Sequence, residues 1–138
     1  MKLELSSLVN AIGVLEKSID ATARLAATLP AEAQETMRSG IIQNFEVAYE
    51  QCWKMMKRWL EVNVSPRTGD GVTRRELFRL AAENLLIDDV PLWMEFHEAR
   101  NETTHIYDQN IAATVSGEAA RFLPAAQQLL VNLKSRND

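Results

Sequence analysis

With 138 residues, 46% of them hydrophobic and 25% charged, the chain has the size and balance of a single globular domain spanning residues 1–138, large enough to bury its own core. Its net charge of −4 argues against a domain held on nucleic acid by bulk charge, while leaving room for a local basic patch. The lone Cys52 excludes an internal disulfide and fits a reducing, cytoplasmic setting; the N-terminal stretch carries acids within its apolar positions and does not read as a signal peptide; and no apolar run approaches the roughly 20 residues of a membrane span.

The chain reads as helices throughout. Leu5, Leu8, Ile12, Leu15 and Ile19 step by three and four, which places one apolar stripe on a first long helix ending near Pro30. Ile42, Phe45, Tyr49, Cys52, Met56 and Trp59 repeat the pattern on a second, in which Gly40 is a weak point costing about 1 kcal/mol against alanine. Asn63 to Gly71, with a proline and two glycines, is the clearest loop. Thr73 and Glu76 form a capping box for a short third helix, and Asp88-Asp89-Val90-Pro91 opens a fourth with an acidic N-cap and a first-turn proline. Asn110 is a candidate cap for the last helix, whose stripe runs Ile111, Val115, Ala119, Phe122, Ala126, Leu129 and Leu133; Pro124 falls inside it and should kink or split it. No strand-like alternation, repeat or low-complexity segment interrupts this pattern. The predicted fold is all-α, an antiparallel up-and-down bundle of four to five helices, because each helix has one apolar face and the loops are short.

The fourth helix is the least ordinary. On an ideal helical wheel Phe96, Leu92, Ala99, Thr103 and Ile106 make a core stripe, and Glu95, Glu98 and Glu102 a solvated face. Trp93, Met94, His97, Arg100, Asn101, Thr104, His105 and Tyr107 fill a third arc that is too polar for a core and too aromatic for open water. Such an arc is either an interface or the edge of the core with solvated polar groups. Arg100 and His105 stand about 140° apart on the wheel and do not meet easily within one copy, whereas Asn101 and His105 share a face. A two-fold dimer with this arc at its axis would bring the groups together as a composite site.

The string Arg100-Asn-Glu-Thr-Thr-His105-Ile-Tyr107 is R-x4-H-x-Y with Asn after the Arg, and it resembles the signature of the HEPN (higher-eukaryote and prokaryote nucleotide-binding) superfamily. Gln43 to Lys54, Lys57, the turn at Ser65-Pro66, Ile87-Asp88-Asp89, Trp93 and Tyr107-Asp108 extend the likeness over nearly the whole chain. They point to the branch of nucleotidyltransferase substrate-binding proteins, or HepT-like toxins. The resemblance implies a helical bundle that pairs as a homodimer around the motif, with metal-independent ribonuclease activity in many members. It also implies a partner, a minimal nucleotidyltransferase acting as antitoxin, which in some systems adds AMP to the motif tyrosine, here Tyr107. Other members carry only the substrate-binding role, so a non-catalytic accessory subunit is the competing reading. Neither reading requires a metal or a cofactor.

The residue types suit RNA cleavage by the neighbouring 2′-hydroxyl, which needs a base, an acid and positive charge on the phosphoryl oxygens. His105 is the residue type suited to the base or acid role, Arg100 offers a permanently charged planar fork, and Asn101 can orient His105 or bind substrate. His105 is alternatively an N–H partner for a carbonyl at a helix end. His97 reads as an interface or supporting residue, since the glutamates lie on another face and no metal site forms around it. Cys52, on an apolar stripe, reads as core. Residues 54–79 hold seven cations against three carboxylates in an otherwise acidic chain. That stretch is either solvated helix surface or a landing strip for RNA or an acidic partner, with Lys54, Lys57 and Arg58 as candidate contacts.

Overall fold

The computed structural model describes residues 2–137, and the described residues form helices and no strands. The five helices are α1 (Ser6–Leu25), α2 (Ala31–Asn63), α3 (Arg74–Glu83), α4 (Val90–Asn101) and α5 (Gln109–Ser135). Short 3-10 turns follow α1 and α4, at Ala26–Thr28 and Glu102–His105. Hydrogen bonds set the directions. Leu3 and Asn137 bond to each other through backbone and side-chain amide, and Gln127 donates to Glu16, so α1 and α5 run antiparallel. Tyr49 meets His97 and Glu46 meets Arg100, so α2 and α4 are antiparallel as well. Arg38 bonds Gln109 at one end and Trp59 bonds the Arg136 carbonyl at the other, so α2 and α5 run the same way. They are the diagonal pair of an up-and-down bundle, in contact through its centre, with α1 and α4 on either side and α3 against α2 and α4.

The apolar stripes read from the sequence are the ones that are buried: Leu8, Ile12 and Leu15 on α1, Phe45, Tyr49, Cys52 and Met56 on α2, Val115, Ala119, Phe122, Ala126, Leu129 and Leu133 on α5. Ile19 and Ile111 are only partly buried, packed against the edge of the core. An aromatic knot ties the helices together, with Phe122 edge-on to Phe45, Trp93 and Phe96. Thr73 caps α3 by accepting from the Glu76 N–H, and Asp89 caps α4 by accepting from Leu92. Gly40 lies inside α2 without interrupting it.

Three details differ from expectation. Asp108, not Asn110, caps α5, its carboxylate accepting from the Asn110 and Ile111 amides; an ionised cap also complements the positive helix end. Pro124 does not split α5, which is continuous from Gln109 to Ser135. The carbonyl that the proline deprives of a partner belongs to Ala120, and both residues are exposed, so water can take the bond. Trp93 is core, 2% exposed, because α3 brings Phe78 against the side of α4 that the wheel left open. An Asp108→Ala change is expected to cost about 0.5–2 kcal/mol, read as a lower urea midpoint at unchanged slope; an unchanged midpoint would show that the turn before α5 needs no cap.

Candidate functional site

The motif sits where α4 gives out. The helix ends at Asn101, the chain tightens into the 3-10 turn Glu102–His105, and Asp108 starts α5. A 3-10 turn advances the chain by three residues per turn rather than 3.6, so residues after Asn101 leave the positions of an α-helical wheel. Asn101 and His105, expected to share a face, make no hydrogen bond to each other, and both are exposed. His105 projects from the end of the turn. Tyr107, 80% exposed, stands beside it, its hydroxyl 3.5 Å from His105 Nδ1 and the rings edge-on at 6.0 Å.

Arg100 holds the turn to the bundle. Its Nη1 donates to the Thr103 hydroxyl at 3.2 Å, and that hydroxyl donates to the Arg100 carbonyl at 2.8 Å, closing the turn over a buried threonine. Its Nε meets Glu50 at 3.2 Å and its Nη1 lies 3.7 Å from Glu46, one turn apart on α2. Sequence reasoning missed these two glutamates. Their spacing of four within the family-like segment Gln43–Lys54 was the available signal. No hydrogen bond joins Arg100 to His105 within the chain.

A second polar chain leads away from Arg100. Glu50 spends its other oxygen on the Trp53 indole N–H at 2.9 Å. Arg74, at the start of α3, lies over the Trp53 ring at 3.8 Å and donates to the Tyr49 hydroxyl, which in turn meets His97 Nδ1 at 2.8 Å. Because a guanidinium only donates, the Tyr49 oxygen accepts from Arg74, and the same hydroxyl is shared with His97 Nδ1. Burial pushes the Tyr49 phenol up to about 12 despite the nearby Arg74 cation. Burial, then Arg74, lowers the affinity of His97 for a proton. The unfolded chain binds that proton more readily than the fold, so stability falls as pH drops below the ordinary histidine range near 6.5. The urea midpoint is expected to decline between about pH 7 and 5, and His97→Gln to flatten the part of that slope it causes. Parallel slopes for both proteins would contradict the assignment.

Lys54 and Arg58 are exposed on α2, while the stem of Lys57 is half covered beneath Gly69, where an added Cβ would fall 2.7 Å from Lys57 Cε. None of the seven cations of residues 54–79 forms an ion pair among the described residues. A groove of about 540 Å³ lies instead on the face of α4 turned away from Arg100. It has an apolar floor of Ala99, Ile111 and Val115 and a wall of Glu95, Glu98, Glu102 and Glu118, partly neutralised by Arg121. An acidic wall repels phosphates, so this groove and the candidate chemistry are separate. Cys52 is fully buried and its thiol is pushed far up, which suits packing and not attack. No group of three or more His, Cys, Asp or Glu among the described residues is placed to hold a metal ion, and no described helix is long and apolar enough to cross a membrane.

The model of the family described as nucleotidyltransferase substrate binding protein like matches residues 3–135. This chain belongs to that family. Within the nucleotidyltransferase substrate-binding group, the chain is 36% identical over 109 residues to a curated Haemophilus influenzae protein named probable ribonuclease HepT, covering 78% of this chain and 75% of that one. It is also similar to a solved Haemophilus influenzae structure described as the fold of a substrate-binding domain of a nucleotidyltransferase. The two are 30% identical with a TM-score of 0.90, over 95% of this chain and 99% of the other. A Thermus thermophilus structure, 24% identical with a TM-score of 0.64 over 86% and 98% of the two chains, shares the fold. The HepT-like kinship and the all-helical fold read from the residues are therefore both shown.

Proposed function

We propose that this chain is the toxin of a toxin–antitoxin pair, a metal-independent endoribonuclease whose site is completed by a second copy of itself. The observation that carries this is the placement of His105 and Tyr107, exposed side by side on one turn that Arg100 and Thr103 hold against the bundle. In this mechanism one His105 takes the proton of an RNA 2′-hydroxyl, whose oxygen attacks the adjacent phosphorus. The P–O bond to the next nucleotide breaks, and the His105 of the other copy gives a proton to the leaving oxygen. Arg100 supplies charge to the phosphoryl oxygens when the copies meet, and Asn101 orients substrate. Lys54, Lys57 and Arg58 lie on the basic strip that receives the strand. The chain's relative named probable ribonuclease HepT supports the reaction class.

A minimal nucleotidyltransferase is the proposed antitoxin. Its reaction joins the Tyr107 oxygen to the α-phosphorus of ATP as pyrophosphate leaves and the phenolic proton passes to a base. The product is a bulky anion beside His105 that blocks RNA. The exposure of Tyr107 allows this without unfolding. A second reading, a non-catalytic substrate-binding or accessory subunit of that nucleotidyltransferase, is favoured by one observation: Arg100 already spends its charge on Glu46 and Glu50 within the chain. Cleavage of RNA by the purified, unmodified protein in EDTA separates the two. Cleavage that depends on His105 supports the ribonuclease; a folded dimer that cleaves none of several RNAs supports the accessory subunit.

A further inference from the structure

The basic strip contains one cation unlike its neighbours. Arg74 is half-buried, as Lys57 is, yet it has no carboxylate partner and spends only one of its five N–H donors, on the Tyr49 hydroxyl, while its guanidinium is stacked on an aromatic ring. The remaining donors find no acceptor among the described residues. Its guanidinium is held flat at 3.8 Å from the Trp53 ring centre, with Lys54 approaching the same ring at 5.8 Å. Glu50 holds the Trp53 indole with one oxygen and Arg100 with the other. A guanidinium held this way loses little freedom when it meets a phosphate, and a planar fork of free donors matches two phosphate oxygens.

We propose that Arg74, shelved on Trp53 and flanked by Lys54, is a phosphate-binding subsite that holds the RNA strand next to the cleaved bond, coupled to Arg100 through Glu50. This rests on the reading of RNA as substrate and adds to it the residue that anchors the strand. A free nucleotide offers the same phosphate chemistry, but the run of unpaired cations along residues 54–79 fits the repeating charge of a strand.

The test uses a fluorescein-labelled oligoribonucleotide with 2′-O-methyl sugars, which binds but cannot be cleaved by 2′-hydroxyl attack, titrated into the full chain at several salt concentrations. Arg74→Gln is expected to weaken binding about tenfold or more and to reduce the log–log salt slope by about 0.7, the value for one phosphate on a single strand. Arg74→Lys should restore the slope but not the full affinity, and Arg121→Gln, on the acidic groove, should change neither. In the unaltered protein the Trp53 Nε1–H and Arg74 Nε–H resonances should shift as oligonucleotide is added, a readout that needs no variant to fold. Wild-type affinity and slope in a folded Arg74→Gln protein, unmoved resonances, or shifts caused by AMP or ATP but not by the oligonucleotide would each overturn the proposal. Arg74-dependent binding without any RNA cleavage would remove the ribonuclease reading and leave this subsite standing; cleavage with Arg74-independent binding would do the reverse.

Discussion

His105→Ala lowers the rate of RNA cleavage by about 10²–10⁴-fold with little change in melting temperature: this is the expected result if the exposed imidazole is the general acid and base. The stability half of the expectation is as specific as the rate half. His105 is exposed, and among the described residues its one side-chain hydrogen bond is to Tyr107, at 3.5 Å. Removing it leaves no buried group without a partner, so surface-like behaviour follows. Arg100→Ala differs in kind, because it strips the partner from Glu46 and Glu50 and unties Thr103, and any loss of cleavage there mixes chemistry with a loosened turn. The clean measurement is therefore the initial rate with His105→Ala in EDTA, with circular-dichroism melts and light scattering to show an unchanged fold and oligomer. A rate within a few-fold of the parent would remove His105 from the chemistry.

The largest expected effect on stability lies at Phe122. It is fully buried, edge-on to Phe45 and Phe96 at 5.2 Å and to Trp93 at 5.7 Å, with Tyr49 at 6.3 Å. One side chain of α5 thereby closes the core between α2 and α4. Phe122→Ala is expected to cost about 3–5 kcal/mol through lost burial and the cavity left behind. Against the roughly 5–15 kcal/mol that holds a domain together, this leaves the protein marginal at 37 °C. Phe122→Leu keeps most of the volume and should cost far less, about 1–1.5 kcal/mol, the edge-on ring contacts being the main loss. Urea unfolding of the pair checks this: a Phe122→Ala loss below about 1.5 kcal/mol would mean that the neighbouring rings collapse into the space.

The stripes on α1, α2 and α5 were legible because a buried helix face must repeat at three and four, and nothing about the partner helix is needed to see it. The caps at Thr73 and Asp89 were legible for a similar local reason. Asp108 was not, since both it and Asn110 are good capping residues and only the backbone decides between them. Trp93 shows the limit of a wheel, which records the direction of a side chain but not which helix will cover it. The site divides in the same way. Arg100, Asn101, His105 and Tyr107 were found as a motif in one stretch of chain. Glu46, Glu50, Tyr49, Arg74 and Thr103, which hold that stretch in place, lie on two helices and a turn, and their meeting is a fact of tertiary structure. The shift from α-helix to 3-10 turn after Asn101 was likewise invisible: the threonine hydroxyl bonds the Arg100 carbonyl on a turn whose arginine is held by Glu46 and Glu50 of another helix.

The two-way amide clasp between Leu3 and Asn137 makes the backbone nearly a closed circuit. With 27 residues, α5 separates that clasp from Asp108 and the neighbouring His105 by about 40 Å. A short bridge across the clasp, with new ends opened in the glycine-containing loop at residues 65–71, would reorder the helices as α3, α4, α5, α1, α2 while leaving each in its place. A reporter fused beside Leu3 or Asn137 would stand at the far pole of the bundle from the proposed chemistry, leaving the exposed turn clear.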